Sequence, residues 1–149
     1  MKRFSFFVFL ILLFLLPQAQ AADRSDLFMQ GPVRGDVVDV LDGDTLTIKA
    51  HIWIGQSLET HVRLYGIDAP EIKGKCTQER QLAQQAKAEL ARLVQAGSVS
   101  LLNIQLEKYA GRVMAQVQTT DGTDVSKHLI EKGLARPYGG KKRQSWCTQ

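Results

Sequence analysis

The sequence has few aromatic residues and few cysteines, and it lacks the motifs of several large enzyme classes. Aromatic residues make up 7% of its 149 residues, and five of the six phenylalanines lie within the first 16 positions. It contains no phosphate-binding P-loop and no zinc-ligand spacing. The three histidines, His51, His61 and His128, are isolated in the sequence, and no nucleophilic triad is recognisable. These absences argue against a P-loop nucleotide hydrolase, a zinc enzyme and a triad-based hydrolase.

The one long apolar run is too short to cross a membrane, and it predicts a signal peptide. The basic pair Lys2-Arg3 precedes an apolar stretch over residues 4–16, which is shorter than the roughly 20 residues of a spanning helix. The small-residue pattern Ala19-Gln20-Ala21 then provides a cleavage site. We therefore expect a signal peptide at residues 1–21 and a secreted or periplasmic protein without membrane attachment. The alternative is an uncleaved anchor.

Removal of this segment leaves a chain of single-domain size with a small basic excess. Its 17 basic and 15 acidic residues give a formal net charge near +2. Such a balance permits binding to a polyanion but does not by itself indicate it. The basic run Lys141-Lys142-Arg143 could contact phosphates, although such a run is more often only solvated.

Two cysteines, Cys76 and Cys147, make up the whole cysteine content. An even count in an exported chain predicts a disulfide. The bond would tie the basic tail, residues 139–149, to the start of a long predicted helix. Two free thiols and a metal-binding pair are the alternatives, although two cysteines without a nearby histidine make a poor zinc site.

Hydrophobic periodicity predicts five strands and two helices. An aperiodic stretch over residues 22–33 is expected to be a mobile leader. Asp42-Gly43-Asp44 between two apolar runs predicts a hairpin. The run after it alternates, with Leu46, Ile48, Ala50 and Ile52 on one face. The predicted strands cover residues 34–41, 45–52, 58–67, 99–106 and 111–119, and the predicted helices cover residues 77–96 and 124–132.

This element order is that of an OB-fold. We expect a mainly β protein with helices (α+β), in which a five-stranded OB-fold barrel carries a long helix between strands 3 and 4 and a short C-terminal helix. The domain is expected to cover residues 34–138. This fold commonly binds oligonucleotides or oligosaccharides, but the fold alone does not give a function.

Four carboxylates lie at the ends of the predicted strands. Asp42 and Asp44 flank the hairpin turn, and Asp68 and Glu71 lie where a proline stops the third strand. Two carboxylates that approach each other repel unless one is protonated or a cation lies between them. Calcium accepts carboxylate and backbone carbonyl oxygens in an irregular shell, so the Ala69 carbonyl could be a further ligand. The alternative is that the first two carboxylates only form the turn.

Arg63 lies inside the third predicted strand, on the face opposite Val62 and Leu64. An arginine on a barrel wall must be paired or must face a ligand. A phosphate group and Glu71 are both candidate partners. A purely structural pair with a carboxylate is the alternative.

Four motifs in this order resemble the staphylococcal nuclease (thermonuclease) family. They are Asp42-Gly43-Asp44-Thr45, Arg63, Asp68-Ala69-Pro70-Glu71 and Tyr109-Ala110-Gly111-Arg112. The resemblance covers roughly residues 34–138. It implies a calcium-dependent endonuclease on an OB-fold that hydrolyses DNA and RNA phosphodiester bonds and leaves 3′-phosphates. It implies no stable protein partner, so we expect a monomer.

The resemblance also implies how the cation is held. Asp44 and Asp68 would bind calcium through their carboxylates. Ala69, where the type member of the family has Thr, would bind through its backbone carbonyl. Asp42 would lie near the metal without binding it directly.

The remaining matched residues are implied to act on the phosphodiester. Glu71 would position or deprotonate the attacking water, and Arg63 and Arg112 would hold the phosphate and stabilise the transition state. Such a preorganised donor is typically worth about 100- to 1000-fold in rate.

One departure from the family pattern affects substrate binding. The family usually has Tyr-Gly-Arg before the fifth strand, whereas here Ala110 separates Tyr109 from the Gly-Arg pair. Tyr109 and Tyr138 are both candidates to contact the nucleotide, and Tyr138 could equally be a packing residue.

Two alternative functions remain for the protein as a whole. They are a catalytically silent OB-fold module that binds nucleic acid and a calcium-stabilised structural domain.

Overall fold

The elements follow the order that the sequence predicts, with three short additional strands. The computed structural model describes residues 27–107 and 111–147; the predicted signal peptide, Tyr109 and Ala110 lie outside these residues. The strands are β1 (Phe28–Met29), β2 (Val33–Val40), β3 (Thr45–Trp53), β4 (Gln56–Leu64), β5 (Ile67–Asp68), β6 (Ser98–Leu106), β7 (Arg112–Thr119) and β8 (Arg136–Pro137). The helices are α1 (Thr77–Leu93) and α2 (Val125–Glu131).

Five of these strands form a closed barrel. Strands β2, β3 and β4 make an antiparallel meander. Strand β4 then pairs in parallel with β7, β7 pairs antiparallel with β6, and β6 pairs antiparallel with β2. The predicted five-stranded OB-fold barrel of the α+β class is therefore confirmed, and α1 lies in sequence between its third and fourth strands.

The alternation in β3 fills the barrel interior as far as its outer end. Leu46, Ile48 and Ala50 are buried, as their period predicts. Ile52 was expected on the same face, but it is 49% exposed. The prediction is wrong there because the outer end of the β3–β4 hairpin is uncovered, and Trp53 and Ile54 beside it are also exposed.

The third predicted strand, residues 58–67, is in fact two strands. Strand β4 starts at Gln56 and ends at Leu64, and β5 follows after a turn at Gly66, whose φ is +78°. A positive φ interrupts an extended chain, and glycine adopts it without steric cost. Strand β5 pairs with β8, so Asp68 lies opposite Arg136. This pairing brings the C-terminal tail to the end of the third barrel strand.

Helix α1 is shorter than predicted. It ends at Leu93 rather than at residue 96, with Val94 as its C-cap. Of the residues that its period places on one face, Leu82, Ala86, Leu90, Leu93 and Val94, the structure buries Ala86, Leu90 and Val94. The fully buried face of α1 carries the small residues Ala83 and Ala86 together with Leu90, while Leu82 is only half-buried. Small side chains are required here because α1 approaches the β2–β3 turn closely. A Cβ atom on Gly43 would lie 2.7 Å from the Cβ of Ala86.

The N-terminal stretch before the barrel contains a short strand, and the second helix lies where the sequence predicts it. The stretch predicted as a mobile leader, residues 22–33, includes Phe28–Met29, which pair with β6 as β1, and Val33, which begins β2. Helix α2 is capped by Asp124, whose side chain accepts a hydrogen bond from the Lys127 N–H at 2.9 Å, and its last residue is Glu131. Within residues 27–107 and 111–147, neither helix has the length and apolar character needed to cross a bilayer.

Candidate active site

A cleft of about 710 Å³ opens where β3, β4 and β7 meet the C-terminal tail. Its lining combines arginine guanidinium groups with carboxylates. The charged lining residues are Asp42, Arg63, Glu71, Glu107, Arg112 and Arg143. Both signs of charge on one concave surface suit a ligand that carries negative charge and is accompanied by a cation.

The turn between β2 and β3 fixes the first two carboxylates. Asp42 accepts a hydrogen bond from the Asp44 N–H through Oδ1 at 3.0 Å, so it does form the turn, and it also lines the cleft. Asp44 itself is buried at the start of β3, only 4% exposed. Gly43 between them lets the turn lie close to both α1 and the segment after β5. A Cβ atom added to Gly43 would lie 2.7 Å from the Cβ of Ala86 and 3.0 Å from the Cβ of Ala69.

Asp44 connects the start of β3 to the end of β5. Its Oδ2 accepts a hydrogen bond from the Ala69 N–H at 3.2 Å and lies 2.9 Å from Nη2 of Arg63. Its Oδ1 accepts a hydrogen bond from the hydroxyl of Thr45 at 3.1 Å. The structure therefore brings Asp44, Arg63 and the segment around Ala69 together, although they are distant in sequence.

Burial raises the pKa of Asp44 to about 6, because loss of water penalises the charged carboxylate. The charge of Arg63 and the hydrogen bonds from Ala69 and Thr45 lower the pKa, and Asp42 raises it further. A carboxylate with these surroundings gains most from an additional positive charge nearby.

Arg63 is paired with a carboxylate, but not with the one that the sequence suggested. Its side chain is 17% exposed, and its partner is Asp44 rather than Glu71. The register of β3 and β4 explains the pair, since Arg63 lies opposite Thr45, the neighbour of Asp44. The guanidinium still lines the cleft. The pair and access to a ligand are therefore compatible, because a guanidinium has five N–H donors.

The two oxygens of Asp68 have different surroundings. The residue is 3% exposed, and Oδ2 accepts a hydrogen bond from the indole Nε1–H of Trp146 at 3.2 Å. The other oxygen, Oδ1, is buried and accepts no hydrogen bond, although it lies against Nε of Arg143 as an ion pair. This oxygen already faces one cationic group, so a metal ion would compete with Arg143 for it.

Arg143 contacts the groups that sequence analysis assigned to the cation and to the attacking water. Besides Asp68, its guanidinium donates to Oε1 of Glu71 and, at 3.0 Å, to the carbonyl oxygen of Ala69. The sequence indicated a basic run that is solvated or contacts phosphates, not one that contacts these carboxylates. The available signal was Cys147, because a bond from there to Cys76 draws the tail towards the segment that follows β5.

Arg112 begins β7 and also has a carboxylate partner. Its Nη2 donates to Oε1 of Glu107 at 3.0 Å, and its Nε donates to Oε2. The hydrogen bond that Arg112 donates to Glu107 holds the pKa of Arg112 above its usual value. No pattern in the sequence pointed to Glu107, which lies in the cleft.

Tyr138 lines the cleft as well, and its hydroxyl donates to the Lys141 carbonyl at 2.5 Å.

The C-terminal tail is fixed at its far end. Cys76 and Cys147 form a disulfide, with their Cα atoms 6.0 Å apart. These cysteines and Glu79 are the only three described His, Cys, Asp or Glu residues whose ligand atoms lie within 4.8 Å of one another. The two sulfurs are bonded to each other, so neither is a thiolate that could bind a metal. This group is therefore a disulfide with a neighbouring carboxylate.

A group of oxygen atoms near the cleft is a better candidate for a cation site than the disulfide and its neighbouring carboxylate. The carboxylates of Asp44 and Asp68 and the carbonyl of Ala69 are hard oxygen donors, as calcium and similar divalent cations prefer. An added positive charge would offset the burial that raises the pKa of Asp44, and it would lie beside the buried Oδ1 of Asp68, which now faces Arg143.

Comparison with known proteins gives an independent result. The family described as "Staphylococcal nuclease homologue" matches residues 61–147, more than half of the chain. The chain is also similar to an "Uncharacterized endonuclease" of Escherichia coli and to one of Escherichia coli O157:H7. Each is 30% identical over 106 residues, which are 71% of this chain and 61% of the relative. The chain thus spans about three fifths of the length of these curated relatives.

Proposed function

Because the chain belongs to the staphylococcal nuclease family, we propose that it is a calcium-dependent nuclease that hydrolyses phosphodiester bonds of DNA and RNA. The observation that carries the proposal is the cleft, in which Arg63, Arg112 and Glu71 line one concave surface. The similarity to proteins named as endonucleases supports the same reaction class.

The two arginines are the groups that act on the phosphate. Each lies against a carboxylate, Asp44 for Arg63 and Glu107 for Arg112, and each lines the cleft where a phosphate would bind. Attack on a phosphodiester builds negative charge on the equatorial oxygens, and fixed donors aimed at those oxygens stabilise the transition state more than the ground state. The carboxylate partners hold both guanidinium groups in place before substrate binds.

Asp44, Asp68 and the Ala69 carbonyl are the groups that would hold calcium. When bound, a divalent cation supplies positive charge to the phosphate oxygens and lowers the pKa of nearby water. Because all of these ligands are hard oxygen donors, selectivity for calcium over another hard cation depends on the number of ligands and the size of the site.

Glu71 is the base in this proposal. Its side chain is 51% exposed and lies in the cleft, where a water molecule can reach it. The water oxygen attacks phosphorus in line, its proton passes to the Glu71 carboxylate, and the bond from phosphorus to the 5′-oxygen breaks as that oxygen takes a proton from solvent water. The products are a 3′-phosphate and a 5′-hydroxyl, without a covalent intermediate on the protein.

Export of the protein is part of the proposal. The signal peptide predicted at residues 1–21 supports it, and so does the Cys76–Cys147 disulfide, since such bonds persist in oxidising compartments. Compartments outside the cytosol also keep a nuclease with no sequence preference away from the host's own RNA. We expect the exported protein to act as a monomer.

The test is cleavage of single-stranded DNA and RNA by the full chain, purified after processing in an exporting host. Calcium and excess chelator are compared, and Arg63→Ala is measured beside the wild-type protein. Calcium-dependent cleavage that falls by about 100-fold or more in Arg63→Ala supports the proposal. Tight, salt-sensitive binding without cleavage would instead identify a nucleic-acid-binding module, in which the arginine–carboxylate pairs are only structural.

A further inference from the structure

Trp146 makes a directed contact with a carboxylate of the proposed cation site. Its indole Nε1–H donates to Oδ2 of Asp68 at 3.2 Å, and both residues are buried, with 7% and 3% exposed. A buried indole N–H needs an acceptor, so the contact satisfies Trp146. It also leaves Oδ1 of Asp68 as the oxygen without a hydrogen bond.

The indole is held on several sides. The guanidinium of Arg136 lies 3.6 Å from the centroid of the Trp146 ring, which is a cation–π contact. Arg136 also donates through Nη1 to the carbonyl of Ser145 at 2.9 Å, and its own backbone lies opposite Asp68 in the β5–β8 pair. The next residue, Cys147, is bonded to Cys76. These contacts give the ring little freedom to turn.

We propose that Trp146 is a positioning residue for the cation site: its hydrogen bond to Oδ2 fixes the rotation of the Asp68 carboxylate so that Oδ1 faces the cation. This inference rests on the proposed function, because it concerns the same site. The disulfide serves the contact by holding the tail against β5. Groups that orient a metal-binding carboxylate in this way typically change metal affinity by about 10- to 100-fold when they are lost.

The position explains why a tryptophan is needed. Phenylalanine would fill the same space beneath Arg136 but has no N–H to donate. The Asp68 carboxylate would then lose the hydrogen bond to Oδ2 and keep only the ion pair of Oδ1 with Arg143, which does not fix the position of Oδ2. Trp146→Phe therefore separates the packing of the ring from the orientation of the carboxylate.

The experiment measures calcium affinity by titration calorimetry on the full, processed, disulfide-bonded chain. Trp146→Phe is compared with the wild-type protein and with Trp53→Phe, a matched control at a tryptophan that is 73% exposed. We expect the calcium Kd to rise about 10- to 100-fold in Trp146→Phe and to stay unchanged in Trp53→Phe. An unchanged Kd in a folded Trp146→Phe would overturn the inference and leave the proposed nuclease untouched.

A second measurement does not depend on that variant folding. The sequence has two tryptophans, so Trp53→Phe leaves Trp146 as the only one, and its fluorescence reports on the surroundings of the indole, which include Asp68. We expect calcium to change this emission with the midpoint found by calorimetry. Emission that stays constant while calorimetry shows binding would overturn the inference. A wild-type protein that binds no calcium would overturn both the inference and the calcium part of the proposed function.

Discussion

The disulfide closes a large part of the domain, and its removal should have a large effect on stability. Cys76 and Cys147 are 71 positions apart, and the chain-entropy model assigns such a closure about 4 kcal/mol at 25 °C. Domains of this size are typically stable by about 5–15 kcal/mol. We therefore expect the variant Cys76→Ser/Cys147→Ser to lose a large share of its free energy of unfolding, with a fall in Tm of roughly 10–20 °C.

Serine is the appropriate replacement, because Cys76 has a second role as N-cap of α1. Its Sγ accepts from the Glu79 N–H at 3.4 Å, and a serine hydroxyl preserves that cap. The measurement is urea unfolding followed by circular dichroism for the oxidised wild-type protein and the double variant. The m value should rise as well, since the unfolded chain without the bond exposes more surface.

Two results would refute this reasoning. A difference below about 1 kcal/mol would mean that the bond contributes little beyond the contacts of the tail itself. A reductant that destabilises the double variant as much as the wild-type protein would mean that the effect does not come from this disulfide.

Three further predictions concern the cleft. Glu71→Gln should lower kcat about 100- to 10,000-fold on single-stranded DNA, and a near-normal kcat would exclude it as the base. Arg143 contacts the Asp68 and Ala69 oxygens that would bind the proposed cation, so it competes with calcium for them. Since a charge-assisted hydrogen bond is worth about 1.5–3 kcal/mol, Arg143→Gln should raise calcium affinity at least about tenfold in calorimetry. Lys142→Gln is the control, and weaker calcium binding in Arg143→Gln would contradict the competition. Asp44 carries its charge above a pKa of about 6, so calcium affinity should fall about tenfold per pH unit below that value; a flat profile from about pH 5 to 8 would contradict it.

The barrel could be predicted because its signals are local. Alternation around Leu46 and Ile48, an Asp-Gly turn and a proline after Asp68 each act within a few residues, and each gave an element close to its observed position. The parallel pairing of β4 with β7 and the short pair β5–β8 have no such signal. A strand of two residues has no measurable period, and its partner lies far along the chain.

The same distinction holds in the site. Asp42, Asp44, Arg63 and Glu71 could be selected because a turn or a strand end places each of them, and they line the cleft or border it. Contacts made by the tail could not be selected, because nothing in the residues around Arg143 or Trp146 says what they will touch. Only a cysteine nearby gave a clue to where the tail lies.

The packing of α1 against the β2–β3 turn shows a third limit of prediction from the sequence. The period correctly placed Ala86 and Leu90 on the buried face, but it gave Leu82 where the structure buries Ala83. Periodicity identifies a helix but not how near its axis lies to a neighbour. That distance depends on Gly43 in the β2–β3 turn, which is 40 positions earlier than Ala83.

The distance in sequence between Glu71 and Arg143 has a consequence for synthesis. The contact spans 72 positions, so at about 5–20 residues per second the ribosome needs roughly 4–14 s to reach Arg143 after adding Glu71. The barrel strands are all made before the tail, but the hydrogen bond from Trp146 to Asp68 and the bond from Cys147 to Cys76 come last, and the second of these also requires an oxidant. A growing chain whose barrel strands are complete therefore still lacks these contacts until residues 143–147 have been added.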